Sequence, residues 1–143
     1  MRGFTLLELT IVLVIGVLLL GIAVPLLGRQ LPGAQFSAAV HAIATHARLA
    51  RNLAITHNAP VGLIIDVNER AYRLSSESVD HRLPERLKLS FYAPESERID
   101  AHSGAIRFYG DGSSTGGRIT FTDGKRHSDV DIQWLTGRVS VRD

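Results

Sequence analysis

Met1-Arg2-Gly3-Phe4-Thr5-Leu6-Leu7-Glu8 opens the chain, and residues 9–28 continue it without a charged side chain. About 20 residues, at roughly 1.5 Å of rise each, reach across the hydrocarbon core of a bilayer, which is about 30 Å thick. We therefore predict a membrane-spanning helix over residues 4–28. Arg2 is the only basic side chain ahead of the apolar run, so the positive-inside rule places the remainder of the chain outside the cytoplasm.

A cleaved secretory signal peptide is the main alternative, because Gly21-Ile22-Ala23 offers a small-x-small cleavage site. The apolar region of such a peptide is about 7–15 residues long and does not open with a carboxylate. Glu8 stands at that position. An acidic side chain in a membrane segment costs on the order of 3 kcal/mol by insertion scales and normally needs a partner. The sequence therefore favours a retained helix in which the glutamate has a purpose.

The motif Gly3-Phe4-Thr5-Leu6-Leu7-Glu8 before an apolar helix resembles the class III signal of type IV pilins and type II secretion pseudopilins. In that family a prepilin peptidase cuts after the glycine and methylates the new amino terminus. The resemblance implies cleavage between Gly3 and Phe4, methylation of Phe4, and pairing of Glu8 with the amino terminus of a neighbouring subunit. Pro25 lies where pilins carry a helix-kinking proline, and a proline there removes a backbone donor and clashes with the preceding turn.

Composition limits the remainder of the chain. Of 143 residues, fewer than about 90 remain after the helix, which is enough for one small domain. The chain has no cysteine, so it has neither a disulfide nor a thiolate metal site. Its 16 basic and 14 acidic residues give a formal net charge of +2. This balance is typical of a solvated mixed surface and does not indicate a polyanion partner.

Residues 31–55 have the spacing of an amphipathic helix. Apolar residues recur at intervals of three and four, at Phe36, Val40, Ile43, Ala47, Ala50 and Ala54. A polar stripe lies opposite, at Ser37, His41, Thr45, Arg48 and Asn52. We expect Pro32-Gly33 to introduce a bend or a frayed turn. Asn58-Ala59-Pro60 should end the helix, since the residue before a proline is pushed out of the helical region.

After Pro60 the apolar spacing changes to two, which predicts strands. Seven strands, mostly antiparallel, are expected at residues 61–67, 71–74, 87–92, 106–109, 118–122, 129–134 and 138–141. Predicted turns lie at Asn68-Glu69-Arg70, Asp123-Gly124 and Thr136-Gly137. Val130, Ile132 and Trp134 should share one strand face. The polar segments 75–84 and 93–104 are expected to be irregular, mobile loops.

These elements predict an α+β fold in which a long amino-terminal membrane-spanning helix packs by its carboxyl-terminal half on a small, mostly antiparallel β-sheet head. This is the pilin arrangement. The predicted divisions are a leader peptide at 1–3, a transmembrane helix at 4–28, an amphipathic helix extension at 29–57 and a β-rich periplasmic head at 58–143.

The sequence contains no recognisable catalytic constellation. His41 and His46 are five residues apart on a helix and so point to different faces, and no carboxylate lies at ligand spacing to them, so no metal site is predicted. Asp129 and Asp131 alternate with apolar residues and are explained as the wet side of a sheet. No GxSxG stretch exists. We therefore expect no enzymatic activity, no cofactor and no small-molecule substrate.

The loop Gly110-Asp111-Gly112-Ser113-Ser114-Thr115-Gly116-Gly117 lacks the Lys-Ser/Thr ending of a P-loop and joins two predicted strands. With its flanks and Thr136-Gly137-Arg138-Val139, it resembles the head signature of the GspH/FimT family of minor pseudopilins and minor pilins. The matching positions are Phe108, Gly110, Asp111, Gly112, Gly116, Gly117, Gly137 and Arg138. Residues 50–55 and 61–63 are similar too, although Leu53 stands where the family often has glutamate.

The resemblance implies a minor pseudopilin, a structural subunit of the type II secretion pseudopilus that helps export folded proteins across the outer membrane. Its expected partners are other major and minor pseudopilins, the prepilin peptidase and inner-membrane lipid, and its head should lie in the periplasm. The alternative is a FimT-type minor pilin that binds DNA during uptake. Ser140 replaces the second arginine of the Gly-Arg-x-Arg patch associated with that activity, so DNA is not an expected partner. A membrane-anchored hydrolase has no sequence support.

Overall fold

The computed structural model describes residues 6–143, with the side chains of residues 20–32 left out. The helix α1, Leu6–His57, opens the described chain. It contributes to two compact units, and the boundary between them in the sequence lies between Gln35 and Phe36. The predicted cleavage and methylation sites, Gly3 and Phe4, lie outside the described residues, and so does the side chain of Pro25.

In the first unit, the large apolar side chains of residues 6–19 are between 50% and 82% exposed. Within the part of the chain that the structure describes, no helix is both long and apolar enough to cross a membrane. The predicted span of residues 4–28 extends beyond the described side chains at both of its ends.

In the second unit, α1 has the predicted two faces. The six apolar positions of the predicted stripe, from Phe36 to Ala54, are all buried, and the five polar positions opposite them are all exposed. The helix ends at His57, as the sequence predicts, and Asn58 follows with a φ of 47°. The backbone continues as helix through Pro32-Gly33, so the expected frayed turn is absent. A proline removes one backbone hydrogen bond and leaves those of the neighbouring turns in place.

The described residues form eight strands in two four-stranded antiparallel sheets. The first sheet has the order β3-β2-β1-β5 and contains β1 Val61–Asp66, β2 Ala71–Leu74, β3 His81–Arg82 and β5 Ser103–Phe108. The second has the order β4-β6-β7-β8 and contains β4 Lys88–Tyr92, β6 Gly117–Asp123, β7 Arg126–Ile132 and β8 Val139–Arg142. The predicted α+β class, with a helix packed on antiparallel sheet, is confirmed.

Three strand predictions need correction. The segment 75–84 contains β3, which pairs with Ala71 and Tyr72 of β2, and β5 begins at Ser103, inside the segment predicted to be a loop. A two-residue edge strand has no alternating apolar pattern, because its pairing comes from the neighbouring strand alone. β7 ends at Ile132, so Trp134 lies beyond the strand and is 68% exposed.

One core joins α1 to both sheets. Its fully buried side chains include Ile43 of α1 together with Leu63, Ile65, Leu74, Ile106, Phe108, Ile119, Phe121 and Val130 of the strands. Burying a side chain of this size stabilises the fold by about 1.5–3 kcal/mol relative to exposure. The helix therefore contributes to the same core as both sheets. The same part of the helix carries Arg51, which belongs to the candidate site.

Candidate functional site

The glycine-rich loop, residues 110–117, connects β5 to β6. Within it the backbone N–H groups of Tyr109 and Gly112 donate to the carbonyls of Ser113 and Tyr109, at 3.0 and 2.9 Å. Ser113 donates from its backbone N–H and its hydroxyl to Oδ1 of Asp111, at 2.9 and 2.6 Å. These hydrogen bonds lower the pKa of the Asp111 carboxyl. The loop is thus closed on itself and needs no ligand to hold its shape.

The terminal turn, residues 133–138, lies against this loop. Ser114 makes the connection: its N–H donates to the carbonyl of Trp134 at 2.7 Å, and its hydroxyl donates to the carbonyl of Gln133 at 3.0 Å. Ser114 is itself buried, so both groups need such partners. The two parts of the predicted head motif, separated by about 20 residues in the sequence, are therefore in direct contact.

Arg51 of α1 ties the helix to both pieces. Its Nε lies 3.0 Å from the carbonyl oxygen of Gly112 and 3.1 Å from that of Thr136, donating to each. Gly137 adopts a φ of 59°, and a Cβ at this position would lie 2.9 Å from the Arg51 Nε and would clash with the carbonyl of Gly112. Only glycine tolerates both the positive φ and the lack of space for a Cβ. We call Arg51, Gly112, Thr136 and Gly137 the Arg51 junction.

The motif residues divide between structural and exposed positions. Phe108 is fully buried in the core, and Gly112 and Gly116 of the glycine-rich loop are buried too. Asp111 and Arg138 are exposed. Most of the motif therefore shapes the loop and the turn, and does not present a chemical group. Sequence reasoning missed the exposed apolar pair beside it, Trp134 and Leu135, which are 68% and 66% exposed.

The carboxyl-terminal arginines do not form a free basic patch. Arg142 lies on β8 with its Nε 3.2 Å from Oδ2 of Asp131, although its N–H does not point along a hydrogen bond. Arg118 donates from Nε to the other oxygen of Asp131 at 2.6 Å, and this bond raises the pKa of Arg118. Asp131 was expected only to be solvated, but it lies against both Arg118 and Arg142. The charge of Arg142 is therefore partly offset by a carboxylate within the head.

A second polar cluster involves β3, which is an edge strand of the first sheet. His46 of α1, Glu77 of the segment between β2 and β3, and His81 of β3 offer ligand atoms that all lie within 4.8 Å of one another. Sequence spacing alone did not suggest it, because the three residues come from separate elements. Tyr72 stacks on His81 beside the cluster, and burial, followed by the charge of Glu77, raises the pKa of its phenol.

A family model described as type II transport protein GspH matches residues 39–136. The match includes the helix stripe from Val40 onwards and the glycine-rich loop, and it ends within the terminal turn, at Thr136. The chain belongs to the GspH family. The predicted family is therefore confirmed. A GspH relative from Xanthomonas campestris pv. campestris, named type II secretion system protein H, is 34% identical over 140 residues, covering 97% of this chain and 82% of that protein.

Solved structures share the GspH-type fold. The minor pseudopilin EpsH of Vibrio cholerae superposes with a TM-score of 0.60 at 15% identity, over 76% of this chain and 96% of EpsH. The type IV minor pilin FimU of Pseudomonas aeruginosa does so with a TM-score of 0.60 at 10% identity, over 78% of this chain and 91% of FimU. At these identities the likeness concerns the fold alone, and the pilin-like architecture is confirmed.

Proposed function

We propose that this GspH-family chain is a minor pseudopilin, a structural subunit of a type II secretion pseudopilus that helps export folded proteins across the outer membrane. The observation that carries the proposal is the 34% identity to a type II secretion system protein H, which runs over 97% of the chain. It therefore includes the amino-terminal segment as well as the head. The role is structural, since most residues of the head motif hold the glycine-rich loop and the terminal turn together.

The amino-terminal segment supplies the anchor. Residues 9–28 carry no charge, and the large apolar side chains among residues 6–19 are mostly exposed, which supports an environment of lipid or of other apolar helices. We assign residues 1–3 to a leader, 4–28 to a single membrane span, 29–57 to the helix extension and 58–143 to a periplasmic head. Prepilin peptidase would cut between Gly3 and Phe4 and methylate Phe4, and Pro25 would kink the span.

Glu8 serves assembly in this proposal. It lies in the first turn of α1 with its side chain exposed, at a position where an acidic group disfavours insertion by on the order of 3 kcal/mol. A positively charged amino terminus on a neighbouring subunit would offset that cost. The partners are accordingly other major and minor pseudopilins, met along the helix and through head loops.

The exposed pair Trp134 and Leu135 is the part of the head best suited to such a contact. Large aromatic and aliphatic side chains dominate the buried centres of protein interfaces. Here they stand at the tip of a turn whose backbone is held by Ser114 and the Arg51 junction. A rigid apolar tip loses little conformational freedom on binding a neighbouring subunit.

DNA uptake is the less favoured function. Duplex binding needs several phosphate contacts, because each contributes only part of a salt-sensitive affinity. Of the two carboxyl-terminal cations, Arg142 lies 3.2 Å from the Asp131 carboxylate, and Arg138 is the exposed one that remains. A soluble head should therefore bind duplex DNA only weakly at physiological salt, and Arg138→Ala should not change a gel-shift titration.

Complementation of a strain lacking this chain tests the proposal. The wild-type chain should restore export of type II substrates to the medium, and Glu8→Ala should not, although its head should melt at the wild-type temperature. Thr10→Ala is the matched control, because Thr10 is a polar residue of the same stretch whose hydroxyl donates only to the Leu7 carbonyl at 2.8 Å. Mass spectrometry of the restored protein should find a methylated Phe4 terminus. Normal export without the chain, or loss of DNA uptake with export intact, would contradict the proposal.

A further inference from the structure

We propose that His46, Glu77 and His81 form a Zn²⁺ site that joins α1 to the β3 edge of the first sheet. The three side chains are each partly buried, and their ligand atoms lie within 4.8 Å of one another. The site lies entirely within the second compact unit, residues 36–143, and does not depend on the secretion role. Two imidazoles and one carboxylate are a donor set that zinc takes in proteins, with a fourth position left for water.

The distances suit a tetrahedral ion after small side-chain rotations. With Zn–N and Zn–O bonds of about 2.0–2.1 Å, neighbouring ligand atoms lie roughly 3.3–3.4 Å apart. His81 Nε2 and Glu77 Oε2 are already 3.5 Å apart. The rings of His46 and His81 have centroids 4.6 Å apart and are tilted by 51°. Since no two ligand atoms are more than 4.8 Å apart, closing the set around an ion requires side-chain shifts of about 1.5 Å.

His46 is held in the tautomer that can bind a metal. Its Nδ1 lies 2.9 Å from the carbonyl oxygen of Ala42 and 3.4 Å from the hydroxyl of Tyr72. Two acceptors would not approach as closely as 2.9 Å, so Nδ1 carries the proton and donates to the carbonyl. In the neutral ring, Nε2 then bears the lone pair. Metal-binding histidines usually donate their other N–H to a carbonyl or carboxylate in this way, which orients the ring and strengthens the ligand.

The other two ligands are oriented as well. The backbone N–H of Leu74 donates to Oε2 of Glu77 at 3.3 Å, which leaves lone pairs on the carboxylate for a metal. Tyr72 stacks on His81 with ring centroids 5.2 Å apart and meets His46 edge-on at 5.0 Å. Of the nearby cations, Arg73 is paired with Asp80 at 3.4 Å. The local charge therefore does not oppose a divalent ion strongly.

Bound zinc would stabilise the head, because the ligands come from elements that are far apart in the chain. His46 is on α1, Glu77 precedes the two-residue edge strand β3, and His81 is the first residue of that strand. An ion that binds only the folded protein raises stability by mass action, according to its concentration relative to its Kd. The site would thus hold the short edge strand against the helix.

The test is calorimetric titration of the full chain in detergent micelles, first stripped with EDTA, with ZnCl₂. We expect one equivalent to bind with a Kd in the micromolar range or tighter. His46→Ala and His81→Ala should each weaken binding by at least about tenfold, because even the loss of a group that only orients a metal ligand costs about 10–100-fold. His41→Ala is the matched control, since His41 is an exposed histidine on the same helix, and it should bind as the wild type does.

Thermal melting gives an independent readout. Zinc should raise the Tm of the wild type and of His41→Ala above the value in EDTA, and should leave the Tm of Glu77→Gln unchanged. Glu77→Gln keeps the size and the hydrogen-bonding oxygen of the side chain, so its fold should match the wild type by circular dichroism. No saturable one-to-one binding, or equal binding by the wild type and both histidine variants, would overturn the site.

Discussion

Two parts of one helix use the same apolar residues in opposite ways. In α1, residues 6–19 carry leucine, isoleucine and valine on every side, and these side chains are at least half exposed. Residues 36–54 carry fewer large apolar side chains, and the six apolar residues of their stripe, three of which are alanines, are buried. The two parts differ in how many large apolar side chains they carry and in whether those side chains lie on one stripe or all round the helix. A stripe can be covered by one sheet layer, whereas an all-round apolar surface needs an apolar surrounding.

The strongest test of this contrast is a charge on the buried stripe. Ile43→Asp places a carboxylate where the side chain has no solvent contact, and an uncompensated buried charge costs about 3–5 kcal/mol. We expect the head to lose cooperative melting by circular dichroism. Thr45→Asp, an exposed position two residues along, should melt within a few degrees of the wild type. A stable head in Ile43→Asp would remove the basis of the comparison.

The same charge in the other part should act on membrane association alone. Leu13→Asp adds a carboxylate to the exposed apolar segment, at an insertion cost of about 3 kcal/mol. Alkaline extraction of membranes should release this variant and retain the wild type, while head melting stays unchanged. Ser37→Asp, on the polar stripe, should be retained. If Leu13→Asp lowered head stability, the two parts would not be independent.

The Arg51 junction also holds the carboxyl-terminal part of α1 against the head, in addition to the apolar contacts of the stripe. Its close packing around Gly137 can be tested separately. Gly137→Ala combines a φ of 59° with a clash against Gly112 and Arg51, and we expect a loss of about 2–3 kcal/mol. Gly124→Ala has a similar φ of 61° but open space around its Cβ, so it should cost about 1 kcal/mol. Urea unfolding measures the stability of both variants. Equal losses of stability would show that the close approach of Gly137 to Gly112 and Arg51 is unimportant.

Removing the arginine itself should have the smallest effect. Arg51→Ala leaves the carbonyls of Gly112 and Thr136 without this donor, which should cost about 1–2 kcal/mol. Arg48→Ala removes a long 3.4 Å contact to the Val139 carbonyl and should stay within about 0.5 kcal/mol. The same urea titration measures both. If Arg48→Ala lowered the free energy of unfolding as much as Arg51→Ala does, the loss would come from removing a positive charge on the helix surface and not from the hydrogen bonds of Arg51.

The sequence by itself determined the elements that depend on near neighbours. The stripe from Phe36 to Ala54, the end of the helix before Pro60, the β1–β2 hairpin and the turn after Asp123 all follow from spacing or turn chemistry within a few residues. The family followed in the same way, since its motifs are short. Such signals are readable because side-chain period and backbone preference are local properties.

Only the tertiary structure decided which distant pieces meet. β1 pairs with β5 across about 40 residues, β3 exists because β2 offers it an edge, and Arg51 donates to two carbonyls that lie about 60 and 85 residues away. The absence of a metal site was predicted from ligand spacing along the chain, but folding brings Glu77 and His81 to His46. Contacts of this kind depend on how the layers pack, and no spacing along the chain encodes them.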